Sequence, residues 1–291
     1  MQPQLSNLQL MTVETSVNDE LPAAVADTWV DVRGGIAGAG SRDLVAEELP
    51  VAMVYNGVSH AVMMASPCDL EDFALGFSLS EGILQRPDQL FALEIQVSDE
   101  GIMVNMRIAG GRFARLQEQR RNMVGRTGCG LCGTESLANV VRTIAQVTPQ
   151  GVPSDKAVQA ALLSLKNHQP LQMQTGATHG AAWCDSNGRI LLTREDVGRH
   201  NALDKLIGAG IREHADKAFA DGFALISSRA SFEMVQKSAS VGIASLVAVS
   251  APTALAIRQA RSSGMNLIGF ARPGRHVIYT RSGDCSEEST Q

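Results

Sequence analysis

The sequence is poor in the features that mark several common functional classes. Aromatic residues make up 4% of the 291 positions, so few rings are present on which single-stranded bases could stack. The formal net charge is −5, so no overall positive field attracts nucleic acid. No signal peptide is recognisable, and no apolar run is long enough to span a membrane. We therefore predict neither nucleic-acid nor membrane partners.

Cysteine is also scarce. The chain has 5 cysteines, an odd number, and only Cys129 and Cys132 lie close together. This scatter does not match the disulfide framework of a secreted domain, so we predict a cytoplasmic protein with reduced thiols. The pair lies in GRTGCGLCG at 125–133, between arginines and a predicted amphipathic helix. Two thiols at this spacing can form a disulfide, hold half of a zinc site or carry sulfur.

The surrounding sequence weakens the zinc and redox alternatives. A closed zinc site needs two more ligands, and no second C-x-x-C is present. A zinc deaminase needs H-x-E and then P-C-x-x-C at two helix starts, whereas the matching segments read RHNA at 199–202 and SFEM at 231–234. No thioredoxin-like βαβ pattern precedes the loop. We predict no metal site. The nearby arginines and helix start favour a thiolate, and position alone favours Cys132.

The length predicts two domains flanked by flexible tails at 1–30 and 284–291. A smaller α+β domain is predicted at 31–145, with a hairpin turning at Asn56-Gly57, a helix capped by Ser66 and ended by Gly82, and a second hairpin at 91–108. This domain ends in the cysteine loop and the helix after it.

The second predicted domain, at 146–283, shows a more regular alternation of helices and strands. A helix ended by Pro170 precedes a hairpin, a helix at 201–207, a second helical piece at 211–220 and then alternating strands and helices. Helices between apolar strands predict an α/β/α domain with a mostly parallel sheet. The order of elements is that of the cytidine-deaminase-like fold. The overall prediction is therefore an α/β protein.

Three groups of polar residues are candidates for binding. The run from 110 to 126 is rich in arginine. These arginines either form a solvated charged face or attract an anionic partner. EDVGRHNALDK at 195–205 is predicted to lie beside 227–231, 251–253 and 175–180 at the carboxyl ends of strands, where α/β sheets bind ligands, although capping and salt bridges explain part of it. FARPGR at 270–275 suits a stacked base and paired phosphates, with an ordinary turn as the alternative.

Together these segments resemble the FdhD family of formate dehydrogenase accessory sulfurtransferases, from about residue 51 to 279. The segments that carry the resemblance are GRTGCGLCG, TGATHGAA at 175–182, EDVGRHNALDK, SSRASFEMVQKS at 227–238, SAPTALAI at 250–257 and LIGFAR at 267–272. The resemblance implies a chain that accepts sulfur from a cysteine desulfurase as a cysteine persulfide. It then passes the sulfur to the molybdenum bis(guanine dinucleotide) cofactor, before the cofactor enters the formate dehydrogenase apoenzyme.

The resemblance also implies site residues and an assembly. The persulfide belongs on the first cysteine, Cys129, with Cys132 as its partner, and this replaces the choice from position alone. A guanine nucleotide such as GDP would mimic the cofactor, whose contact stretch maps onto Phe270, Ala271, Arg272, Pro273, Gly274 and Arg275. Family members form homodimers. At 227–229 the sequence reads Ser-Ser-Arg where Ser-Gly-Arg is expected, so the added side chain can alter access to the crevice.

Two other functions stay open on the sequence alone. One is a non-enzymatic chaperone that binds the molybdenum cofactor and whose thiols carry no sulfur. The other is a zinc-stabilised binding module.

Overall fold

The computed structural model describes residues 14–17, 20–30, 41–124, 146–214 and 218–283. The segment with Cys129 and Cys132, and the helix predicted after it, lie outside these ranges. The glycines at 34–40 and the predicted tail from residue 284 also lie outside them.

The N-terminal lobe is built on a five-stranded sheet that contains both predicted hairpins. In chain order, its strands and those of a separate hairpin are β1 Glu14–Val17, β2 Val25–Val30, β3 Ser41–Ala46, β4 Leu49–Tyr55, β5 Val58–Ala65, β6 Leu90–Ser98 and β7 Gly101–Ile108. The sheet order is β1–β6–β7–β4–β5, and β2 pairs only with β3. Asn56 and Gly57 have φ angles of 47° and 81°, the left-handed geometry that a tight hairpin turn requires. Both predicted hairpins are confirmed.

The predicted tail over residues 1–30 is wrong for two of its segments. β1 pairs in parallel with β6, and β2 pairs antiparallel with β3. A sheet edge offers unpaired N–H and C=O groups, so the short polar segment of β1 can add a strand without an apolar pattern. For β2, the β-branched residues Val25, Thr28 and Val30 are the sequence signal.

Two helices, α1 Leu70–Ser80 and α2 Gly110–Val124, complete the N-terminal lobe, with a short 3₁₀ turn at Pro87–Gln89. α1 packs Phe73 and Phe77 against the sheet. Gly82 follows this helix with a φ of 68°, in agreement with the predicted helix end. The predicted cap is wrong, because Asp69 takes the cap position with a φ of 52° and Ser66 bonds elsewhere.

The C-terminal lobe contains a six-stranded mixed sheet. Its strands are β8 His179–Cys184, β9 Ile190–Asp196, β10 Phe223–Ile226, β11 Ser245–Ala248, β12 Asn266–Arg272 and β13 Arg275–Thr280, in the order β13–β12–β11–β10–β8–β9. Only the pairings β10–β11 and β11–β12 are parallel. The prediction of a mostly parallel sheet is therefore correct for the centre alone. It missed β13, whose tight Pro273-Gly274 turn folds the chain back antiparallel on β12.

Helices cover both faces of this sheet, as predicted for an α/β/α arrangement. The helices are α3 Asp155–Leu165, α4 Pro170–Thr175, α5 Arg199–His214, α6 Phe232–Ser240 and α7 Ala254–Ser262, with a 3₁₀ turn at Lys166–His168. α3 packs on one face, and α5, α6 and α7 pack on the other. The break predicted before residue 211 is wrong, because α5 continues to His214. None of the helices in the described ranges is long and apolar enough to cross a membrane.

The two lobes meet where α1 crosses α5, a contact that we call the lobe junction. A Cβ atom on Gly76 would overlap the Asp204 carbonyl oxygen, and one on Gly208 would overlap the Asp72 carbonyl oxygen. Only glycine, which lacks a Cβ, allows the two helix backbones to approach this closely. The predicted domain boundary at residue 145 lies outside the described residues and stays a prediction.

Candidate functional site

The loops that follow β10 and β11 lie side by side at one edge of the C-terminal sheet, as predicted, and the end of β12 joins them there. Ala230 N–H donates to the Ala251 carbonyl at 3.2 Å, and Phe270 N–H donates to the Ser250 carbonyl at 3.0 Å. We call this edge, formed by 227–231, 250–253 and 270–275, the crevice edge. α6 and α7 both begin there, so their backbone N–H groups point toward it.

Strand β8, which pairs with β10, extends the crevice edge beyond the 227–231 loop. Gly180 N–H donates to Ser227 Oγ at 2.9 Å, which fixes His179 and the start of β8 beside the 227–231 loop. Ser228, the departure from the expected glycine, is buried, and its hydroxyl donates to the Arg229 carbonyl at 3.1 Å. Because the Ser228 side chain is buried and bonded to its own loop, it does little to restrict access to the crevice.

Glu195 has a structural role. Its carboxylate accepts the N–H groups of Leu171 and Gln172 at 2.9 and 2.7 Å, and the hydroxyl of Thr178 at 3.0 Å. The first N–H groups of a helix have no partner within the helix, so Glu195 caps α4 from outside.

Asp196 and Lys205 form a fully buried ion pair with a 2.7 Å separation. Asp196 also accepts N–H groups from Ser66 at 3.0 Å and Gly198 at 2.7 Å, and the side-chain amide of Asn201 at 2.9 Å. Lys205 donates in turn to the Ser66 carbonyl at 3.0 Å. Buried charges are tolerated only with such complete pairing. The pair thus ties the loop before α1 to the C-terminal lobe.

Asp204 and Lys237 form a second buried pair at the lobe junction, with a 2.9 Å separation. Lys237 also lies 2.8 Å from Glu81, and Ser80 donates to Asp204 at 2.6 Å. Burial lowers the pKa of Lys237, but the nearby carboxylates of Asp204 and Glu81 outweigh it and raise the pKa above its usual value. The lysine therefore stays charged in the folded protein.

Arg199 and His200 differ from their neighbours in the 195–205 segment because they lie outside the buried ion pairs, and His200 faces the start of α6 at the crevice edge. His200 Nε2 lies 3.8 Å from the Glu233 carboxylate at the start of α6. Burial, and next the positive charge of Arg199, lower the pKa of His200. The same two causes lower the pKa of His179. Both imidazoles therefore favour the neutral form beside a guanidinium.

The 270–275 segment forms the tight turn of the β12–β13 hairpin. Phe270 is 37% exposed and has a φ of 50°, which is unfavourable for a bulky residue. Arg272 and Arg275 lie directly opposite each other across the turn, and both are exposed. No described carboxylate pairs with either guanidinium. Opposed like charges are unfavourable, so this hairpin is well suited to an anion. Ala271 is fully buried, and its side chain belongs to the core.

Residues outside the predicted site hold this hairpin in place. Gly274 N–H donates to Gln159 Oε1 at 2.8 Å. Gln159 also lies 3.5 Å from His276 Nδ1, and His276 Nε2 lies 3.1 Å from the Asp155 carboxylate. Sequence reasoning missed Gln159, because nothing in the local pattern of α3 indicates a contact with a turn so distant in the chain.

The cysteines that the structure describes are poorly suited to thiolate chemistry. Burial raises the pKa of Cys68, and it raises the pKa of Cys184 to about 12. The predicted sulfur-carrying residues, Cys129 and Cys132, lie outside the described ranges. Within those ranges, no group of three or more potential metal ligands comes together.

One arginine of the 110–126 run has a structural role. Arg112 donates to the carbonyls of Ile83 and Gly82 just beyond the end of α1. For this residue the contacts support neither a free solvated face nor an anion site.

The mixed α/β fold is similar to that of a crystal structure from Desulfotalea psychrophila that is described as a formate dehydrogenase accessory protein. The two structures superpose with a TM-score of 0.67, and the match covers 90% of this chain and 100% of the other. At 22% identity, this likeness shows the fold alone.

The sequence profile of the FdhD/NarQ family matches residues 46–285, and the chain belongs to this family. It is 52% identical to the sulfur carrier protein FdhD of Cupriavidus necator over 250 residues, which cover 86% of both chains. It is 54% identical to the protein of the same name from Bordetella petrii over 250 residues, covering 86% of this chain and 89% of the relative. A Xanthomonas euvesicatoria relative of that name is 50% identical over 260 residues, covering 89% of this chain and 91% of its own. The resemblance read from the sequence is confirmed.

Proposed function

We propose that this chain is a cytoplasmic sulfur carrier that serves the maturation of formate dehydrogenase. The observation that carries the proposal is the match to relatives named sulfur carrier protein FdhD, at 52% and 54% identity over 86% of the chain. Such identity over most of the length supports a shared role. The segment GRTGCGLCG supplies the two thiols that a sulfur carrier requires.

Cys129 is the proposed acceptor of sulfur from a cysteine desulfurase. Its thiolate attacks the outer sulfur of the desulfurase persulfide and forms a new S–S bond, while the desulfurase cysteine leaves as a thiolate. The sulfur moves without a net change of oxidation state, so this step requires no further reagent. The nearby arginines favour the attacking thiolate.

Cys132 is the proposed resolving thiol. Attack of its thiolate on Cys129 Sγ breaks the persulfide bond, forms a Cys129–Cys132 disulfide and releases hydrosulfide. The two thiolates supply the electrons that reduce the transferred sulfur. A cellular dithiol reductant then reduces the disulfide and completes the cycle.

The proposed sulfur acceptor is the molybdenum bis(guanine dinucleotide) cofactor, which binds as a substrate at the 270–275 hairpin. The exposed ring of Phe270 offers a surface for a guanine base, and the opposed guanidiniums of Arg272 and Arg275 can pair with phosphates. The turn formed by Pro273 and Gly274 is held by Gln159, so these groups have a fixed spacing. GDP is the simple mimic for binding experiments.

Maturation of formate dehydrogenase in cells that lack the endogenous carrier tests the proposal. We expect Cys129→Ala to give inactive dehydrogenase, because no persulfide forms. Cys285→Ala, which removes a cysteine far from the loop in sequence, is the matched control and should keep full activity. If the Cys129→Ala variant still matures active enzyme, the assignment of Cys129 is wrong.

Two measurements separate the rival functions. A cofactor chaperone without sulfur transfer predicts that the double Cys129→Ala/Cys132→Ala variant still binds cofactor and activates the dehydrogenase. A zinc-stabilised module predicts stoichiometric zinc in the purified protein, with the zinc lost in Cys132→Ala.

Sedimentation of the purified protein tests the homodimer that the family resemblance implies.

A further inference from the structure

Two buried nitrogen atoms at the start of α5 have no hydrogen-bond partner among the described residues. They are Arg199 Nε and His200 Nε2, and the Glu233 carboxylate lies beyond hydrogen-bond distance of the latter, at 3.8 Å. Buried polar atoms without partners are rare in native proteins, and each requires an explanation such as a bound ion. In contrast, the side-chain nitrogens of Asn201 and Lys205 in the same helix donate hydrogen bonds to described residues.

His179 adds a third nitrogen-bearing side chain to this place. It lies at the start of β8, which pairs with the end of β9 just before α5. His179 lies opposite Asp196 in the β8–β9 pairing, and α5 begins with Arg199 and His200 three residues after Asp196, so the three residues lie close together. The lowered pKa values of both histidines agree with this, because the charge of Arg199 is one of their causes. The cluster therefore draws on two separate elements, the start of β8 and the start of α5.

The acidic groups around the cluster leave it open to an anion. Asp196 is neutralised by its buried pair with Lys205. Glu233 is 56% exposed, and its carboxylate is held by the Ser231 hydroxyl at 2.8 Å. Lys237 and Glu81 also act on His200 from the lobe junction, but they pair with each other at 2.8 Å. Glu233 is therefore the carboxylate that would oppose an incoming anion.

We propose that Arg199, His179 and His200 form an oxyanion site that binds a phosphate group of a nucleotide lying along the crevice edge. Strands β8, β10, β11 and β12 are consecutive neighbours, so the strand that bears His179 lies three strand spacings, about 14 Å, from the strand that bears Phe270. An extended nucleotide can bridge this span. The nucleotide's identity rests on the proposed function, whereas the oxyanion site stands on the cluster itself.

Calorimetric titration with pyrophosphate, GDP and guanosine tests the site. Arg199→Gln should weaken pyrophosphate and GDP binding roughly tenfold or more, because one charge-assisted hydrogen bond is lost. Guanosine, which has no phosphate, should bind the variant and the unaltered protein equally. Glu233→Gln should strengthen pyrophosphate binding, since it removes the opposing charge. Arg261→Gln, an exposed arginine in the last turn of α7, is the matched control and should change nothing.

Two results would overturn the proposal. If Arg199→Gln melts at the unaltered temperature and binds pyrophosphate and GDP normally, the oxyanion site does not exist. If pyrophosphate binding weakens while GDP binding does not, the assignment to a nucleotide phosphate is wrong. If Arg199→Gln fails to fold, the Glu233→Gln variant serves as the test. Unchanged pyrophosphate binding by Glu233→Gln would then overturn the oxyanion site. Failure of Cys129 to accept sulfur would overturn the proposed function and leave the pyrophosphate result intact.

Discussion

The lobe junction and the crevice edge use the same kinds of charged residue in opposite ways. At the junction, Lys205 and Lys237 are buried, and each is paired with a carboxylate. At the crevice edge, Arg272 and Arg275 are exposed, unpaired within the described residues and set against each other. The 195–205 segment serves both regions. Substitutions at the junction should therefore reduce folding stability, and those at the crevice edge should reduce ligand binding.

Lys205→Met should produce the largest loss of stability. It would leave the Asp196 carboxylate buried without its charge partner, at a cost of about 3–5 kcal/mol in the free energy of unfolding. Urea denaturation measures this cost. Arg86→Met, which breaks an exposed pair with Asp88, is the control and should cost at most about 1 kcal/mol. Equal losses in both variants would remove the distinction between the two regions.

Gly208→Ala should come next. The added methyl group would overlap the Asp72 backbone carbonyl, so the helices at the junction must move apart, at a cost of about 1–3 kcal/mol. The control, Gly111→Ala in α2, meets no atom within 4 Å and should be neutral or stabilising. Unchanged stability in Gly208→Ala would show that the helices do not pack this closely.

Phe270→Asn should affect binding rather than folding. Loss of the stacking ring should weaken GDP binding by about 1–3 kcal/mol, as measured by calorimetry. Unfolding should change by less than about 1 kcal/mol, because asparagine adopts the left-handed backbone more readily than phenylalanine. Phe91→Asn, which removes an exposed ring on β6, should leave GDP binding unaltered. If both variants bind GDP normally, the hairpin is not the base-binding surface.

His200 should give the smallest effect, a pH dependence of stability. Its pKa is lowered in the folded state, so the unfolded chain binds the proton more readily. The contribution of neutral His200 to the free energy of unfolding is therefore fully present above the pKa of the unfolded chain, about 6.5. It is lost as the pH falls through the lower pKa of the folded protein. We expect His200→Asn to flatten this decline in urea titrations from about pH 8 to about pH 5. An identical decline in the variant would assign it to other groups.

Local patterns in the sequence predicted much of the fold. The Asn56-Gly57 hairpin, the strands beginning at Phe223, Ser245 and Asn266, and the helices between them all follow from periodicity and turn residues. β1 and β13 were missed, because an edge strand is specified by a neighbour that is distant in the chain. Helix α5 was broken too early because its glycines, including Gly208, allow close packing rather than ending the helix.

The candidate site was predictable in place but not in function. The sequence placed the 227–231 and 251–253 loops side by side, and the backbone hydrogen bonds between them confirm this. The sequence could not show which residues of the 195–205 segment form buried ion pairs and which lie near the crevice. Asp204 pairs with a lysine in α6, and Asp196 accepts a hydrogen bond from the N-terminal lobe, so both partners are distant in the chain. Nor could it show the strained backbone of Phe270, which depends on an irregularity in the β12–β13 pairing.

The most direct test of the central claim is the mass of the Cys129 peptide. The purified protein is incubated with a cysteine desulfurase and cysteine and then digested without reductant. We predict one added sulfur on the peptide that contains Cys129, and no added sulfur when Cys129→Ala is treated in the same way. Sulfur accepted equally by that variant, or absent from the unaltered protein, would contradict the role of Cys129 as the sulfur carrier.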